Sequence, residues 1–312
     1  MGDADNMRGA NNRHRRLRRI ALLAFVVLAL IVATAPLTDA SGARSSKHAA
    51  RKVASHAHLV TVVARDFFFQ MPTRIPSGLT EFVFVNHGAQ GHMMQVFKLK
   101  GNATDATLLK ALQAPRIQSL LAVATAAGGA NSIEPGHHAH VFATLSPGRY
   151  DVVCFDAGPN GVPHFLRGMR KTFTVTASAS ASLDGDDRLS NGAPVSSGTI
   201  TLRDFHISLP STIHTRGAHT FRVVNAGPQS HEFDLLKLAP GKSFRDVLAA
   251  LRANREPPAT EVGGSAAIAP HTTAWVETDL APGTYVALCN VPDLKTQMPH
   301  ALMGMIVQFT VR

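Results

Sequence analysis

The chain carries one pattern of chemistry-bearing residues twice, and this repeat limits its fold more than any other feature. Residues 163–169 read PHFLRGM and residues 299–305 read PHALMGM. The chain has two cysteines, and Cys154 precedes the first stretch while Cys289 precedes the second. Matching positions lie 135 to 139 residues apart, which is the size of a domain and much longer than a solenoid repeat. The sequence therefore predicts two domains of one fold.

The similarity extends through each copy. Both open on Arg-Asp-Phe, continue through Val-Asn-x-Gly to a histidine, and reach the cysteine through Leu-x-Pro-Gly-x-Tyr-x-x-x-Cys. These segments predict domains at residues 56–176 and 197–312. Residues 177–196 between them consist mainly of Ser, Ala, Gly and Asp, a composition typical of a flexible linker. Such a linker leaves the relative placement of the domains open.

Short apolar or alternating segments dominate both copies, and Pro and Gly separate them. This pattern predicts an all-β fold of two tandem β-sandwiches. Each copy also has one short insertion with helical leucine spacing, at residues 104–124 and 243–253. Ser243 and Asp246 are placed to cap the second helix.

The N-terminus predicts export. It reads RHRRLRR, followed by an uncharged apolar run of 16 residues (20–35) and then by small residues. Residues 1–40 fit a signal peptide cleaved after Ala40, or an uncleaved anchor that tethers the chain to a membrane through residues 20–35. Residues 41–55 would form a spacer. We expect a periplasmic, cell-surface or extracellular protein.

The net charge of +10 does not indicate a nucleic-acid partner. Most of the positive charge lies in the first 55 residues, beside the apolar run, and no basic stripe is interleaved with aromatic residues. The sequence therefore predicts no nucleic-acid binding.

Each copy offers the same four potential metal ligands. Two imidazoles and a thiolate form the trigonal plane of a type 1 copper site, and a methionine thioether occupies its longer axial position. The candidates, and with them one copper per domain, are His92, Cys154, His164 and Met169 in the first copy and His231, Cys289, His300 and Met305 in the second.

Two alternatives compete with this assignment. In an oxidising compartment Cys154 and Cys289 could form a disulfide, but that bond would join equivalent interior strands of separate domains. Met303 competes with Met305 as the axial ligand. We prefer Met305, because the counterpart of Met303 in the first copy is Arg167.

At these motifs the chain resembles the cupredoxin family of blue copper proteins, such as plastocyanin and azurin. The resemblance covers both copies and rests on Val-Asn-x-Gly…His and on Cys…His-x-x-x-x-Met. It implies a Greek-key β-sandwich, a type 1 copper in each domain and one-electron transfer. Nine and ten residues separate Cys from the second His in the two copies, a longer loop than familiar cupredoxins have.

The histidine pairs His56–His58 and His138–His140 resemble those that multicopper oxidases use in a trinuclear cluster. No histidine flanks either cysteine, however, and the second copy has Thr273 and Trp275 where the first has His138 and His140. We therefore expect a protein that is not an enzyme.

The leading functional hypothesis is an electron carrier with a redox partner outside the cytoplasm. Electrons would pass through the imidazole edge of His164 or His300. The alternatives are copper storage, delivery or tolerance, which would use the same ligands, and a structural sandwich in which copper is incidental.

Overall fold

The computed structural model describes residues 57–178, 192–253 and 255–312. The predicted signal or anchor, the spacer, His56 and most of the predicted linker lie outside these residues. Within the described part of the chain, no helix has the length and apolar character needed to cross a membrane.

The first copy forms nine strands and two α-helices. They are β1 (His58–Arg65), β2 (Phe68–Gln70), β3 (Arg74–Pro76), β4 (Gly78–Asn86), β5 (His92–Leu99), α1 (Asp105–Leu112), α2 (Ile117–Val123), β6 (Ala124–Ile133), β7 (His138–Leu145), β8 (Gly148–Val153) and β9 (Arg170–Thr176). The second copy forms eight strands and one α-helix: β10 (Gly198–Arg203), β11 (His206–Ser208), β12 (Gly217–Asn225), β13 (His231–Leu238), α3 (Phe244–Arg252), β14 (Ala259–Ile268), β15 (Thr273–Leu280), β16 (Gly283–Leu288) and β17 (Ile306–Val311). Short 3-10 helices span His164–Arg167, Ser211–His214 and His300–Met303.

These strands form two sheets that pack face to face, which confirms the predicted all-β sandwich architecture. One sheet has the order β11-β10-β12-β15-β7-β4-β1-β2, and the other has the order β17-β16-β13-β14-β6-β5-β8-β9-β3. Neighbouring strands are often not consecutive in the chain, because the chain crosses repeatedly from one sheet to the other, as in a Greek key. The division into domains at 56–176 and 197–312 stays a prediction, since the strands of both copies contribute to both sheets.

Both sheets continue from the first copy into the second, a relation that the linker composition could not reveal. β7 pairs antiparallel with β15, and β6 pairs antiparallel with β14. At the centres of these pairs Val141 lies opposite Val276 and Ala130 lies opposite Ser265. Each of these residues faces its own counterpart in the other copy, so a pseudo-two-fold axis relates the copies, as in an isologous dimer.

The alternating strands bury one face between the sheets. Along β4, for example, Thr80, Phe82, Phe84 and Asn86 are buried, whereas the residues between them are half-buried. β5 and β13 differ, because they are buried on both faces. Their outer faces pack on the helical insertions, where Leu108 and Val247 are fully buried.

The helical insertions begin as their sequences predict. Asp246 accepts hydrogen bonds from the backbone N–H and the hydroxyl of Ser243, at 2.9 and 2.8 Å, and so caps the start of α3. The first insertion forms two helices, α1 and α2, and α2 also reaches the second domain. The backbone N–H of Ile117 donates to the side chain of Gln297 at 2.8 Å.

Candidate metal centres

Three of the four predicted ligands in the first domain converge in a buried cluster. His92 begins β5, Cys154 follows β8, and His164 opens a 3-10 helix. Their donor atoms form a triangle: the two Nδ1 atoms are 3.1 Å apart, and Cys154 Sγ lies 3.8 Å from His92 Nδ1 and 3.5 Å from His164 Nδ1. None of the three side chains is exposed by more than 1%.

The second domain repeats this geometry closely. His231 Nδ1 and His300 Nδ1 are 3.0 Å apart, and Cys289 Sγ lies 3.9 Å from the first and 3.5 Å from the second. All three residues are fully buried. Among the described residues these two triads are the groups of three or more His, Cys, Asp or Glu whose donor atoms lie within 4.8 Å of one another.

The donor set fits copper. Protein nitrogen and sulfur ligands bind a metal of this size at about 2.0–2.3 Å, and a triangle with sides of 3.0–3.9 Å places all three donors near that distance from one point. Two imidazoles with a cysteine thiolate are the equatorial ligands of a type 1 copper site. The two triads therefore fit one copper per domain.

The predicted axial methionines lie beside the triads. Met169 and Met305 are fully buried, and their carbonyl oxygens accept hydrogen bonds from the N–H groups of Cys154 and Cys289 at 3.2 and 3.1 Å. The competing residue, Met303, is half-buried, and its sulfur accepts a hydrogen bond from the Thr296 hydroxyl. The roles of Met169 and Met305 as ligands stay predictions.

Backbone hydrogen bonds bring each second histidine back to its cysteine despite the long loop. Ala157 and Pro163 form an isolated β-bridge that closes the first loop, and His164 N–H donates to the carbonyl of Asp156 at 2.7 Å. Pro292 and Pro299 form the same bridge in the second loop. The additional residues of each loop therefore lie between the two bridged positions, and the three donor atoms of the triad stay close together. Neither cysteine is in a disulfide, so that alternative does not apply to this structure.

An aspartate braces the first histidine of each triad, and its role was not recognised in the sequence. His92 Nε2 donates to Asp66 Oδ1 at 2.8 Å, and His231 Nε2 donates to Asp204 Oδ1 at 2.8 Å. With Nε2 protonated, Nδ1 is left free to bind a metal. The repeated Arg-Asp-Phe motif contains both aspartates, so the repeat could have indicated them. The motif alone, however, does not show which residue each aspartate contacts.

The turns that carry these aspartates are conformationally unusual. Phe67 and Phe205, the next residues, have φ angles of 126° and 62°, in the region that non-glycine residues rarely adopt. Their rings contact the second histidines edge-on, with centroid distances of 5.1 Å to His164 and 5.4 Å to His300. One strained turn thus supports both histidines of each triad.

These rings account for a difference from the expected electron path. His164 and His300 are 1% and 0% exposed, so neither imidazole edge reaches the surface. In the first domain the guanidinium of Arg167 lies 3.6 Å from the centroid of the Phe67 ring and covers it. The imidazole edges through which we expected electrons to pass are therefore covered, because an aromatic side chain that is distant in sequence lies over each histidine.

The ionisation of the triads follows from their burial. Burial, together with repulsion from the neighbouring histidine, lowers the pKa of His164 and of His300 to about 4. Burial raises the pKa of the Cys154 and Cys289 thiols well above the ordinary value, and the nearby carboxyls of Asp156 and Glu232 add to that effect. At neutral pH the metal-free triads therefore hold neutral imidazoles and a protonated thiol.

The histidine pair on β7 lies on the opposite, outer side of its sheet. The ring centroids of His138 and His140 are 5.5 Å apart, and His140 Nδ1 lies 2.9 Å from Glu81 Oε1. Neither histidine belongs to a converging triad. Of the other predicted pair, only His58 lies in the described part of the chain.

Comparisons with known proteins match the expectation of a copper protein fold. No protein-family model and no curated protein matches the chain. Among solved structures, auracyanin from Roseiflexus castenholzii is similar to 38% of this chain over 98% of its own length, with 18% identity and a TM-score of 0.26. Copper nitrite reductase from Nitrosomonas europaea matches 82% of this chain over 94% of its own, with 13% identity and a TM-score of 0.25. A multicopper oxidase matches 81% over 88%, with 15% identity and a TM-score of 0.23.

The matches include auracyanins, one of which is described as a blue copper protein, and copper enzymes whose match extends over both domains. Identities and TM-scores this low assign no activity to this chain, so the copper assignment rests on the triads themselves.

The comparisons correct one expectation. We expected a protein that is not an enzyme, but the matches that cover both domains include copper nitrite reductase and a multicopper oxidase, which are enzymes. The absence of flanking histidines around Cys154 and Cys289 is therefore not sufficient to exclude catalysis, and that expectation is withdrawn.

Replacing the bracing aspartate tests its effect on one site at a time. We expect Asp66→Asn to weaken copper(II) binding in the first domain about 10–100-fold, because the neutral amide cannot make the imidazole as strong a donor. The same loss of charge should raise the reduction potential of that site. Asp204→Asn should act only on the second site, so each variant is the control for the other. Chelator competition and redox titration measure both effects, and unchanged values in both variants would contradict the assigned role.

Proposed function

We propose that this protein is an exported one-electron carrier with a type 1 copper site in each domain. The observation that carries the proposal is the preformed donor triangle, which occurs twice with nearly the same distances. Each triangle is buried, tied to the backbone and braced by a carboxylate. The geometry of a site held in this way changes little when the site gains or loses an electron, and this favours rapid electron exchange.

The residues of each site have separate roles. Copper bound by the triad supplies a couple that accepts and releases one electron. The thiolate and the methionine sulfur favour the reduced ion, and the two imidazoles favour the oxidised ion. Asp66 and Asp204 orient the first imidazole and increase its basicity. The aromatic rings of Phe67 and Phe205 keep water from the second imidazole.

The covering rings also support a proposal for where a partner docks. In the first domain the path outward from His164 runs through Phe67 to Arg167, which is exposed. In the second domain it runs from His300 through the half-buried Phe205. We propose that a redox partner outside the cytoplasm contacts these two positions. An aromatic ring between ligand and surface keeps the transfer distance short while the ligand stays dry.

Electrochemistry on the copper-loaded chain tests the proposal. A carrier should give a reversible potential and fast self-exchange, and it should keep its copper against a moderate chelator. Ready loss of copper to the chelator, with slow or irreversible electron exchange, would contradict the carrier and support copper storage or delivery. Export is tested separately by fractionating cells that express the full chain and sequencing the N-terminus of the recovered protein.

Copper binding should release protons in a number fixed by the pKa values. Because the pKa values of His164 and His300 are about 4 and those of the thiols are raised, each copper(II) should displace one thiol proton above pH 8, where the neighbouring Asp156 and Glu232, with pKa values of about 6 and about 7, are already ionised. Apparent affinity should then rise about tenfold per pH unit at each site.

Calorimetric titrations in buffers of different ionisation enthalpy count these protons. We expect about two for the native chain and about one for Cys154→Ser. Release of no protons would show that the thiolates are already formed and would contradict the account of the buried thiols.

A further inference from the structure

A cavity of about 340 Å³ lies at the junction of the two domains, between the helices α1 and α2 and the nine-stranded sheet. Its size falls within the range of about 300–1,000 Å³ that is usual for small-molecule sites. One side is apolar and includes Phe97, Leu112, Ile117, Leu120 and Phe165. None of these residues belongs to the metal triads.

The opposite side of the cavity is acidic. Glu232 and Asp234 come from β13, Glu261 comes from β14, and Asp156 comes from the Cys–His loop of the first domain. The fold does not require these acids, because the first copy has Met93 and Gln95 at the positions of Glu232 and Asp234. The acidity is therefore a property of this cavity and not of the repeated fold.

Three of these carboxyls have an oxygen without a partner. Asp156 Oδ2, Asp234 Oδ1 and Glu261 Oε2 are buried and form no hydrogen bond, and Asp156 and Asp234 are each only 7% exposed. Asp234 and Glu261 lie close enough to share a proton, but two ionised carboxylates offer each other no donor. Buried polar atoms are nearly always paired, so these oxygens at one wall lack donors when the carboxyls are ionised.

No basic side chain in the described residues supplies those donors. The ion pairs found there all lie elsewhere. Lys100 and Arg116 line the cavity but pair with none of the carboxyls, and the Lys100 ammonium donates instead to the carbonyl of Leu121. Burial raises the pKa of Asp234 and Glu261 well above their ordinary values, and mutual repulsion adds to the rise. A bound cation would offset that repulsion.

We propose that the cavity binds a small organic cation, with its ammonium group hydrogen-bonded to Asp234 and Glu261, with Asp156 adding negative charge nearby, and with its apolar body against α1 and α2. A single metal ion fits less well. The carboxyls do not converge as the copper triads do, since no three of them bring donor atoms within 4.8 Å of one another. The apolar side of the cavity also favours a ligand with an apolar part.

Isothermal titration of the copper-free full chain tests the proposal with three probes of similar shape: 2-phenylethylammonium, the neutral 2-phenylethanol and the anionic 3-phenylpropionate. We expect the ammonium to bind at least tenfold more tightly than the alcohol and the anion not to bind. Equal binding of ammonium and alcohol, or binding of neither, would overturn the proposal.

Variants locate the site. Asp234→Asn and Glu261→Gln should each weaken ammonium binding at least tenfold and leave alcohol binding unchanged. Each replaces one of a group of buried, mutually repelling carboxyls with a neutral amide of the same shape, so both variants should fold, and a thermal unfolding scan checks this. Leu112→Trp, which narrows the apolar side, should weaken binding of both probes. Glu277→Gln, at the domain junction in the other sheet, is the matched control and should change nothing. Native ammonium affinity in both acidic variants would refute the site.

Discussion

Cys154→Ser and Cys289→Ser are each expected to remove about half of the intense visible absorption that copper(II) produces in the native chain, and the double variant should remove all of it. This absorption comes from charge transfer between a cysteine thiolate and copper, which a serine hydroxyl cannot replace. Each cysteine is the only sulfur donor in its triangle of donor atoms. Because the two triangles are nearly equal in their distances, the two sites should contribute nearly equally.

Two controls separate this loss from misfolding. The single variants should retain the absorption of the other site, which requires that the shared sheets remain intact. Met303→Leu should leave both absorptions unchanged, whereas Met305→Leu should shift the absorption of the second site, because only Met305 lies next to Cys289 in the backbone hydrogen bonding. If Met303→Leu shifted the spectrum and Met305→Leu did not, our choice of axial ligand would be wrong.

Gly264→Ala should be among the most destabilising single changes in the chain. A Cβ at this position would lie 2.0 Å from the carbonyl oxygen of Phe233, and the φ angle is +119°. The backbone strain of a non-glycine residue costs about 1–3 kcal/mol, and the clash must also move β13, which carries His231. We expect a loss of about 4 kcal/mol or more in the free energy of unfolding, an effect seen only for a few named mechanisms. Chemical denaturation measures it.

Gly217→Ala separates the clash from the strain. Gly217 has a similar φ of +107°, but no atom lies within 4 Å of a Cβ placed there. This variant should therefore lose only about 1–3 kcal/mol. Gly129→Ala should behave like Gly264→Ala, because its Cβ would lie 1.9 Å from the carbonyl oxygen of Met94. The pairing of β13 with β14 has an irregularity between Asp234 and Leu236, next to Gly264. Equal, small losses for Gly264→Ala and Gly217→Ala would contradict the predicted clash at this irregularity.

The parts of the fold that depend on local pattern could be predicted from the sequence. Short alternating segments such as the one that forms β4 predicted the strands of a sandwich, and leucine spacing with Ser243 and Asp246 predicted α3. The sharing of sheets could not be predicted. It depends on β6 and β7 meeting β14 and β15 across the pseudo-two-fold axis, and their Ala- and Gly-rich or alternating sequences are equally compatible with exposed edges.

The candidate site, like the fold, could be predicted from the sequence only in part. The repeat indicated the four candidate donors of each copy, because chance rarely places the same four residue types at matching positions in two copies. The brace was missed because Asp66 and His92 lie 26 residues apart and no periodic pattern relates them. The burial of His164 and His300 was missed for a similar reason, since it depends on Phe67 and Phe205 in a turn whose positive φ angles break the ordinary expectation for phenylalanine.

The most direct test of the central claim is a copper(II) titration of the full chain, followed by its visible absorption. We predict an intense blue or green absorption that grows linearly and stops at two equivalents of copper per chain. A folded protein that binds copper without that absorption, or an end point at one equivalent, would contradict the assignment of a type 1 copper site to each domain.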